Sequence, residues 1–112
     1  MENNKELVLR YWNSWQKADF EEMRECLADT FSLSGGGQFK FDDPDKFVEM
    51  SKMGNGWRDV TMINMVTEGN KVSMIYSGTD KVTEVQYRVA EFITVTDGKI
   101  SDIEAVILRM SG

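Results

Sequence analysis

Glu91 has the residue type and position to do chemistry. It falls in an alternating run, Val85, Tyr87, Val89, Glu91, Ile93 and Val95, of which five are apolar or aromatic. Residues two apart share one face of a strand. The intervening Glu84, Gln86, Arg88, Ala90, Phe92 and Thr94 are mostly polar or small. The pattern predicts a strand over 83–96 with one buried face that carries one acid. An ionised carboxylate buried without a partner costs several kcal/mol or more, so such a group is paired, protonated or at work. As a working group, Glu91 is a general acid, a base once desolvated, or a ligand anchor. The competing reading is a structural carboxylate satisfied by Tyr11, a tryptophan N–H or Arg109. The opposite strand register would turn Glu91 outward and remove it from either role.

Few other groups could share the chemistry. The chain has 112 residues and no histidine, so Ser-His-Asp pairs, Cys-His pairs and imidazole metal sites are excluded, and acid–base work falls to carboxylates, tyrosine or lysine. The single Cys26 lies in a helical pattern beside Met23 and Leu27 and reads as a buried structural thiol. Gly35-Gly36-Gly37 lacks the strand–loop–helix context of a phosphate loop and reads as a turn. Asp42, Asp43 and Asp45 read as capping residues, with no calcium-loop pattern following. No metal and no cofactor are expected.

Composition bounds the rest. Hydrophobic content of 41% and charged content of 29% suit one compact globular domain over 1–112. A net charge of −6 without a basic cluster disfavours nucleic acid and anionic membrane as partners. No apolar run approaches the roughly 20 residues of a spanning helix. The polar start, Met1-Glu2-Asn3-Asn4, lacks a signal-peptide pattern, so a cytoplasmic location is expected.

Three helices and a run of strands must position Glu91. Leu7, Val8, Tyr11, Trp12, Trp15 and Ala18 recur at helical spacing over 4–18, with Asn3 or Asn4 as N-cap. Asp19 and Glu22 form an acidic capping box for a second helix with Phe20, Met23, Leu27 and Ala28 as its apolar stripe. Phe31 and Leu33 suggest a short strand ending at the triple glycine, and Phe39 and Phe41 its return. Asp43-Pro44 opens a third helix lined by Phe47, Val48, Met50 and Met53 and stopped by Gly54 or Gly56. Strands follow over 58–68, 71–79, 83–96 and 99–109, with turns at Gly69-Asn70 and Asp97-Gly98. Helices first and hairpin-linked strands second predict an α+β fold, with helices packed on one face of a curved, mostly antiparallel sheet. Where the helices fail to fill that curve, a cavity remains.

The order and spacing of several segments resemble the nuclear transport factor 2-like superfamily, in particular its SnoaL-like and ketosteroid-isomerase-like branch. They are Tyr11-Trp12-Asn13-Ser14-Trp15, Ala18-Asp19-Phe20, Leu27-Ala28-Asp29-Thr30-Phe31, Glu68-Gly69-Asn70-Lys71-Val72 and the stretch from Ala90 to Ile100. The resemblance implies a cone of three helices on a strongly curved sheet (a cystatin-like form), a deep pocket in the cone, and homodimerisation through the sheet's outer face. In ketosteroid isomerases a helix-1 tyrosine and a protonated strand acid donate hydrogen bonds to the developing oxyanion; the protonated acid in an apolar site is a known example of this physics. Tyr11 falls at the tyrosine position. Glu91 falls at the acid position if the Asp97-Gly98 turn is one residue shorter than the family's. The family's base aspartate has no counterpart in Leu33-Ser34-Gly35-Gly36, and Asp42-Asp43-Pro44 comes several residues too late.

Two functions follow as expectations. The first is binding of a small hydrophobic or amphipathic molecule in the cone, with isomerase, cyclase, lyase or hydrolase chemistry carried by Glu91 as acid/base and Tyr11 as its partner. Trp15, Phe47, Met50, Met62, Tyr76, Tyr87 and Ile107 would line the pocket. The second is a non-catalytic interaction or scaffold module that associates through the outer face of the sheet.

Overall fold

The computed structural model describes residues 2–35, 40–52 and 56–110. These form helices α1 (Asn4–Lys17), α2 (Phe20–Glu25) and α3 (Pro44–Ser51) and strands β1 (Leu27–Gly35), β2 (Lys40–Phe41), β3 (Trp57–Glu68), β4 (Lys71–Asp80), β5 (Gln86–Thr96) and β6 (Lys99–Arg109). The strands make one curved sheet in the order β2-β1-β6-β5-β4-β3. Every pairing is antiparallel except β1 with β6, which is parallel. The α+β architecture expected from the sequence is the one observed.

Local chemistry sets the helix ends. Asn3 caps α1 through a full capping box with Glu6. Asp19 caps α2 by accepting from the Glu22 N–H, but the Glu22 carboxylate does not return the bond. It accepts instead from Arg10 Nη1 at 2.6 Å and ties α2 to α1. Asp43 accepts from the Asp45 N–H at 2.8 Å, and Pro44 occupies the first turn of α3. Asp45 in turn accepts from Arg24 at 2.8 Å, and Asp42 pairs with Lys40 at 3.5 Å, so the acidic run is spent on capping and surface pairs.

Three boundaries differ from the periodicity. Leu27 and Ala28 open β1 rather than closing α2. The Ile100 N–H donates to the Cys26 carbonyl at 2.8 Å and Leu27 pairs with Ile100, so β6, distant in sequence, draws the chain out of the helix. Val85 precedes β5 instead of lying in it. The Asp80 carboxylate accepts from the Val82 and Thr83 N–H groups, and Glu84 takes a left-handed φ of 61°, so 81–85 form the connection between β4 and β5. Helix α3 ends at Ser51, with Lys52 as its cap. Gly36, Gly37, Phe39, Met53 and Gly54 lie outside the described residues.

The hairpin from β5 to β6 turns at Asp97 and Gly98, with φ of 51° and 74°, the pair of positive angles a two-residue type I′ turn demands. A register shift follows, Thr94 pairing with Asp102 and Val95 with Ile100. The extra residue is a bulge that restores the inward alternation of Ile103 and Ala105. The inner face then carries Val72, Met74 and Tyr76 of β4, Val89, Glu91, Ile93 and Val95 of β5, Ile100, Ile103 and Ala105 of β6, and Phe31 and Leu33 of β1, all buried. Leu7, Val8 and Tyr11 of α1, Met23 of α2 and Phe47 and Val48 of α3 close over them.

One contact fixes a wall of this interior. The Trp57 ring lies directly over Gly78, whose missing side chain leaves the room: a Cβ there would stand 2.2 Å from Trp57 Cε3. Tyr87 pairs with Gly78 across the sheet and holds the same indole from the side, ring centroids 5.3 Å apart. Gly78→Ala therefore must displace Trp57. The expected result is a loss of about 1–3 kcal/mol in urea unfolding with a shifted tryptophan emission spectrum; an unchanged spectrum would show that the ring does not depend on Gly78.

Candidate functional site

A cavity of about 220 Å³ remains between the helices and the inner face of the sheet. Tyr11, Trp12 and Trp15 reach it from α1, and Phe47 and Met50 from α3. Leu33, Trp57, Met74, Tyr76, Val89, Glu91, Ala105 and Ile107 reach it from the strands. Of the residues expected to line it, Trp15, Phe47, Met50, Tyr76 and Ile107 do so. Met62 and Tyr87 do not. Met62 sits opposite Tyr76 on β3 and packs against the core cluster, and Tyr87 supports Trp57 from outside the cavity. Trp12, Leu33, Trp57, Met74, Val89 and Ala105 line it as well. Alternation points to Met74 and Val89, since each shares a face with a named residue two positions away.

Glu91 faces inward and is 9% exposed, in the register the alternation predicts. Met74 flanks it on β4 and Ala105 on β6. Its hydrogen-bond partner is Tyr76, not Tyr11: the Tyr76 hydroxyl donates to Glu91 Oε2 at 2.8 Å. The geometry follows from the sheet. Tyr76 is paired with Val89, two residues before Glu91 on the same face, and a long aromatic side chain spans that diagonal. Tyr11 is buried close enough to feel the carboxylate. Burial first, and then the Glu91 charge, hold its hydroxyl well above the ordinary tyrosine range. The same causes, in the same order, keep the Tyr76 hydroxyl protonated.

Two polar atoms in this apolar space have no hydrogen-bond partner among the described residues, Glu91 Oε1 and Trp12 Nε1. Burial pushes the Glu91 carboxyl up to about 7, and the Tyr76 hydrogen bond opposes that rise. The acid is thus poised between its two charge states near neutrality. It has one oxygen held by Tyr76 and one oxygen uncommitted. Such a group can give or take a proton, or anchor a ligand. Cys26 is buried, and desolvation pushes its thiol up to about 11, so it stays protonated. Among the described residues no three of Cys, Asp and Glu converge to hold a metal ion. No helix among them is long and apolar enough to cross a membrane.

Known proteins give the fold a family. Among solved structures, a Kribbella flavida protein provisionally called a ketosteroid isomerase superposes with a TM-score of 0.86 at 14% identity, covering 97% of this chain and 80% of that one. A nuclear transport factor 2-like protein from Burkholderia thailandensis superposes with a TM-score of 0.78 at 22% identity, covering 96% and 92%. An epoxide hydrolase of the LEH-like type from M. tuberculosis does so with a TM-score of 0.78 at 18% identity, covering 91% and 80%. At these identities the likeness is one of fold. No curated protein sequence matches the chain. The model of the SnoaL-like domain matches residues 8–103. With most of its length inside that match, from Val8 of α1 to Ile103 of β6, the chain belongs to the SnoaL-like domain family, on the nuclear transport factor 2-like fold.

Proposed function

We propose that the chain binds a small, mostly apolar molecule in the cavity and that Glu91 transfers a proton on it, in chemistry of the isomerase, cyclase, lyase or hydrolase kind. The observation that carries this reading is the uncommitted Oε1 of a carboxyl raised to about 7 on the wall of an apolar cavity. General acid–base groups work best with a pKa near the operating pH. Tyr76 orients the carboxyl, and Tyr11 stands beside it as a second hydroxyl on the cavity wall. The absence of an acid in Leu33-Ser34-Gly35 leaves Glu91 as the one carboxylate among the lining residues, so it would serve as both acid and base in a transfer. The proposal is of a cytoplasmic, single-domain protein.

All three tryptophans of the chain line the cavity, which makes their emission a direct report of occupancy. Small cyclic epoxides, unsaturated ketones and aldol precursors are the compounds to assay, with fluorescence for binding and product analysis for turnover. Glu91→Gln, which keeps shape and removes the proton, should lower any turnover about 100-fold or more while the protein stays folded. Undiminished turnover in that variant would defeat the assignment.

The raised carboxyl also predicts a pH dependence of stability. The folded state holds the Glu91 proton more tightly than the unfolded chain, whose carboxyl titrates near 4.5. Its contribution is therefore fully present below pH 4.5 and is lost as pH rises through about 7. Relative to Glu91→Gln, the wild type should lose on the order of 3 kcal/mol across that window, at about 1.4 kcal/mol per pKa unit. Urea unfolding of both proteins at several pH values measures the difference. Parallel curves would mean that the acid is not desolvated.

A second reading, an interaction module, draws on the outer face of the sheet. Val66, Ile75, Phe92, Val106 and Leu108 are exposed there, with Ile75, Ala90 and Val106 in one row across β4, β5 and β6. Exposed apolar patches of this kind mark association sites, and we infer a homodimer through this face, compatible with a ligand on the other. Phe92→Glu should convert a dimer to a monomer in sedimentation equilibrium with little change in fold. A wild-type monomer at about 100 μM, near −5 kcal/mol of association at most, would dismiss the inference.

A further inference from the structure

The shape and charge of the cavity select among the small molecules that would fit it. Tyr76 is the hub of an aromatic box. Its ring centroid lies 6.4 Å from that of Trp12 at an interplanar angle of 60°, and 6.1 Å from that of Trp15 at 51°. Rings tilted in this way do not stack on one another, and all three line the cavity. Trp57, Tyr11 and Phe47 add further aromatic wall. The one charged side chain among the lining residues is Glu91, whose Oε1 is buried and unpartnered and whose Oε2 is bound by the hub tyrosine. No lysine or arginine is among the lining residues, so a bound anion would meet a carboxylate and no counter-charge there.

Aromatic faces attract cations through the ring quadrupole, most strongly where water is excluded, and cages of several rings are a recurring way to hold an ammonium. A carboxylate within the cage adds a full counter-charge. We propose that the cavity accepts a small organic ammonium ion, held between the Trp12, Trp15 and Tyr76 rings with its positive centre against Glu91. Size follows from volume. A cavity of about 150 Å³ holds benzene, so about 220 Å³ suits a molecule of roughly nine or ten non-hydrogen atoms. The net charge of −6 adds a field that draws cations towards the protein. The inference rests on the cavity being a ligand site and is independent of whether Glu91 also moves a proton.

Binding a cation requires the ionised carboxylate, so affinity and protonation are linked. The titratable groups that face Glu91 are Tyr11 from α1 and Tyr76 from β4, both held protonated, while Met74 and Ala105 flank it on the neighbouring strands. Phenyltrimethylammonium and its uncharged isostere tert-butylbenzene test the idea on the whole chain by calorimetry and tryptophan emission, and acetophenone serves as a neutral hydrogen-bond acceptor. The quaternary ion has no proton to lose, so any pH dependence comes from the protein. The cation should bind at least about tenfold more tightly than its isostere at pH 8.5, and its affinity should fall about tenfold or more on going to pH 5.5. In Glu91→Gln the preference should fall about tenfold and its pH dependence should vanish. Should that variant fail to fold, the wild-type pH series decides alone. Failure of all three probes to bind would remove the ligand-site reading itself. Equal or tighter binding of tert-butylbenzene or acetophenone would keep the ligand site and overturn the ammonium. A pH dependence of cation binding that survives in Glu91→Gln would also overturn it.

Discussion

The hydrogen bond from Tyr76 to Glu91 is the constraint around which the interior is arranged. A sheet face built of valine, isoleucine and methionine tolerates a carboxyl only where something answers it, because a buried polar group without a partner costs more than the bond itself is worth. Tyr76 answers one oxygen. Its own ring then becomes the surface against which Trp12 and Trp15 tilt, so the acid, the aromatic wall and the seat of α1 are one connected arrangement. The helices do not fill the curve of the sheet at this point, and the second oxygen of Glu91 is left buried and without a partner among the described residues.

Burial and polarity compete in that gap. Removing the carboxylate from water pushes its proton affinity up, and the tyrosine bond pulls it down. Burial is the larger effect, and the group sits near neutrality where small changes in surroundings change its charge. A fully packed cone would have raised it further and closed it off; an open cleft would have left it an ordinary acid. The partial enclosure by aromatic rings is what makes the site chemically interesting, more than the acid by itself.

The inner face of β5 could be read from the sequence because period-two alternation is a strictly local signal. The helix starts at Asn3, Asp19 and Asp43 were legible for the same reason, since a cap acts within three residues. What failed was long-range. The loss of Leu27 and Ala28 from α2 to β1 depends on pairing with Ile100. The partner of Glu91 depends on the β4–β5 register, which the Asp80 turn sets through side-chain bonds to Val82 and Thr83 and which no two-residue hairpin signal announces. Tyr11 was the tyrosine suggested by family likeness; Tyr76 was named only as a wall. Trp57 was missed as a wall because its position depends on the void at Gly78, which composition and spacing do not reveal.

The strand order has a consequence for how the chain acquires its structure. The β6 residues, 99–109, are made last of the six strands, yet β6 lies inside the sheet between β1 and β5. On a ribosome, β3, β4 and β5 can zip together as they emerge, each beside its sequence neighbour. The β1–β2 unit has no seat in that sheet until β6 arrives to bridge the two halves. Contacts of such wide sequence separation form slowly, because loop closure must precede any gain from them. Through most of synthesis, Ser32, Leu33 and Ser34 would therefore lack the strand that later pairs beside them, and the apolar side chains of β1 would wait uncovered for β6.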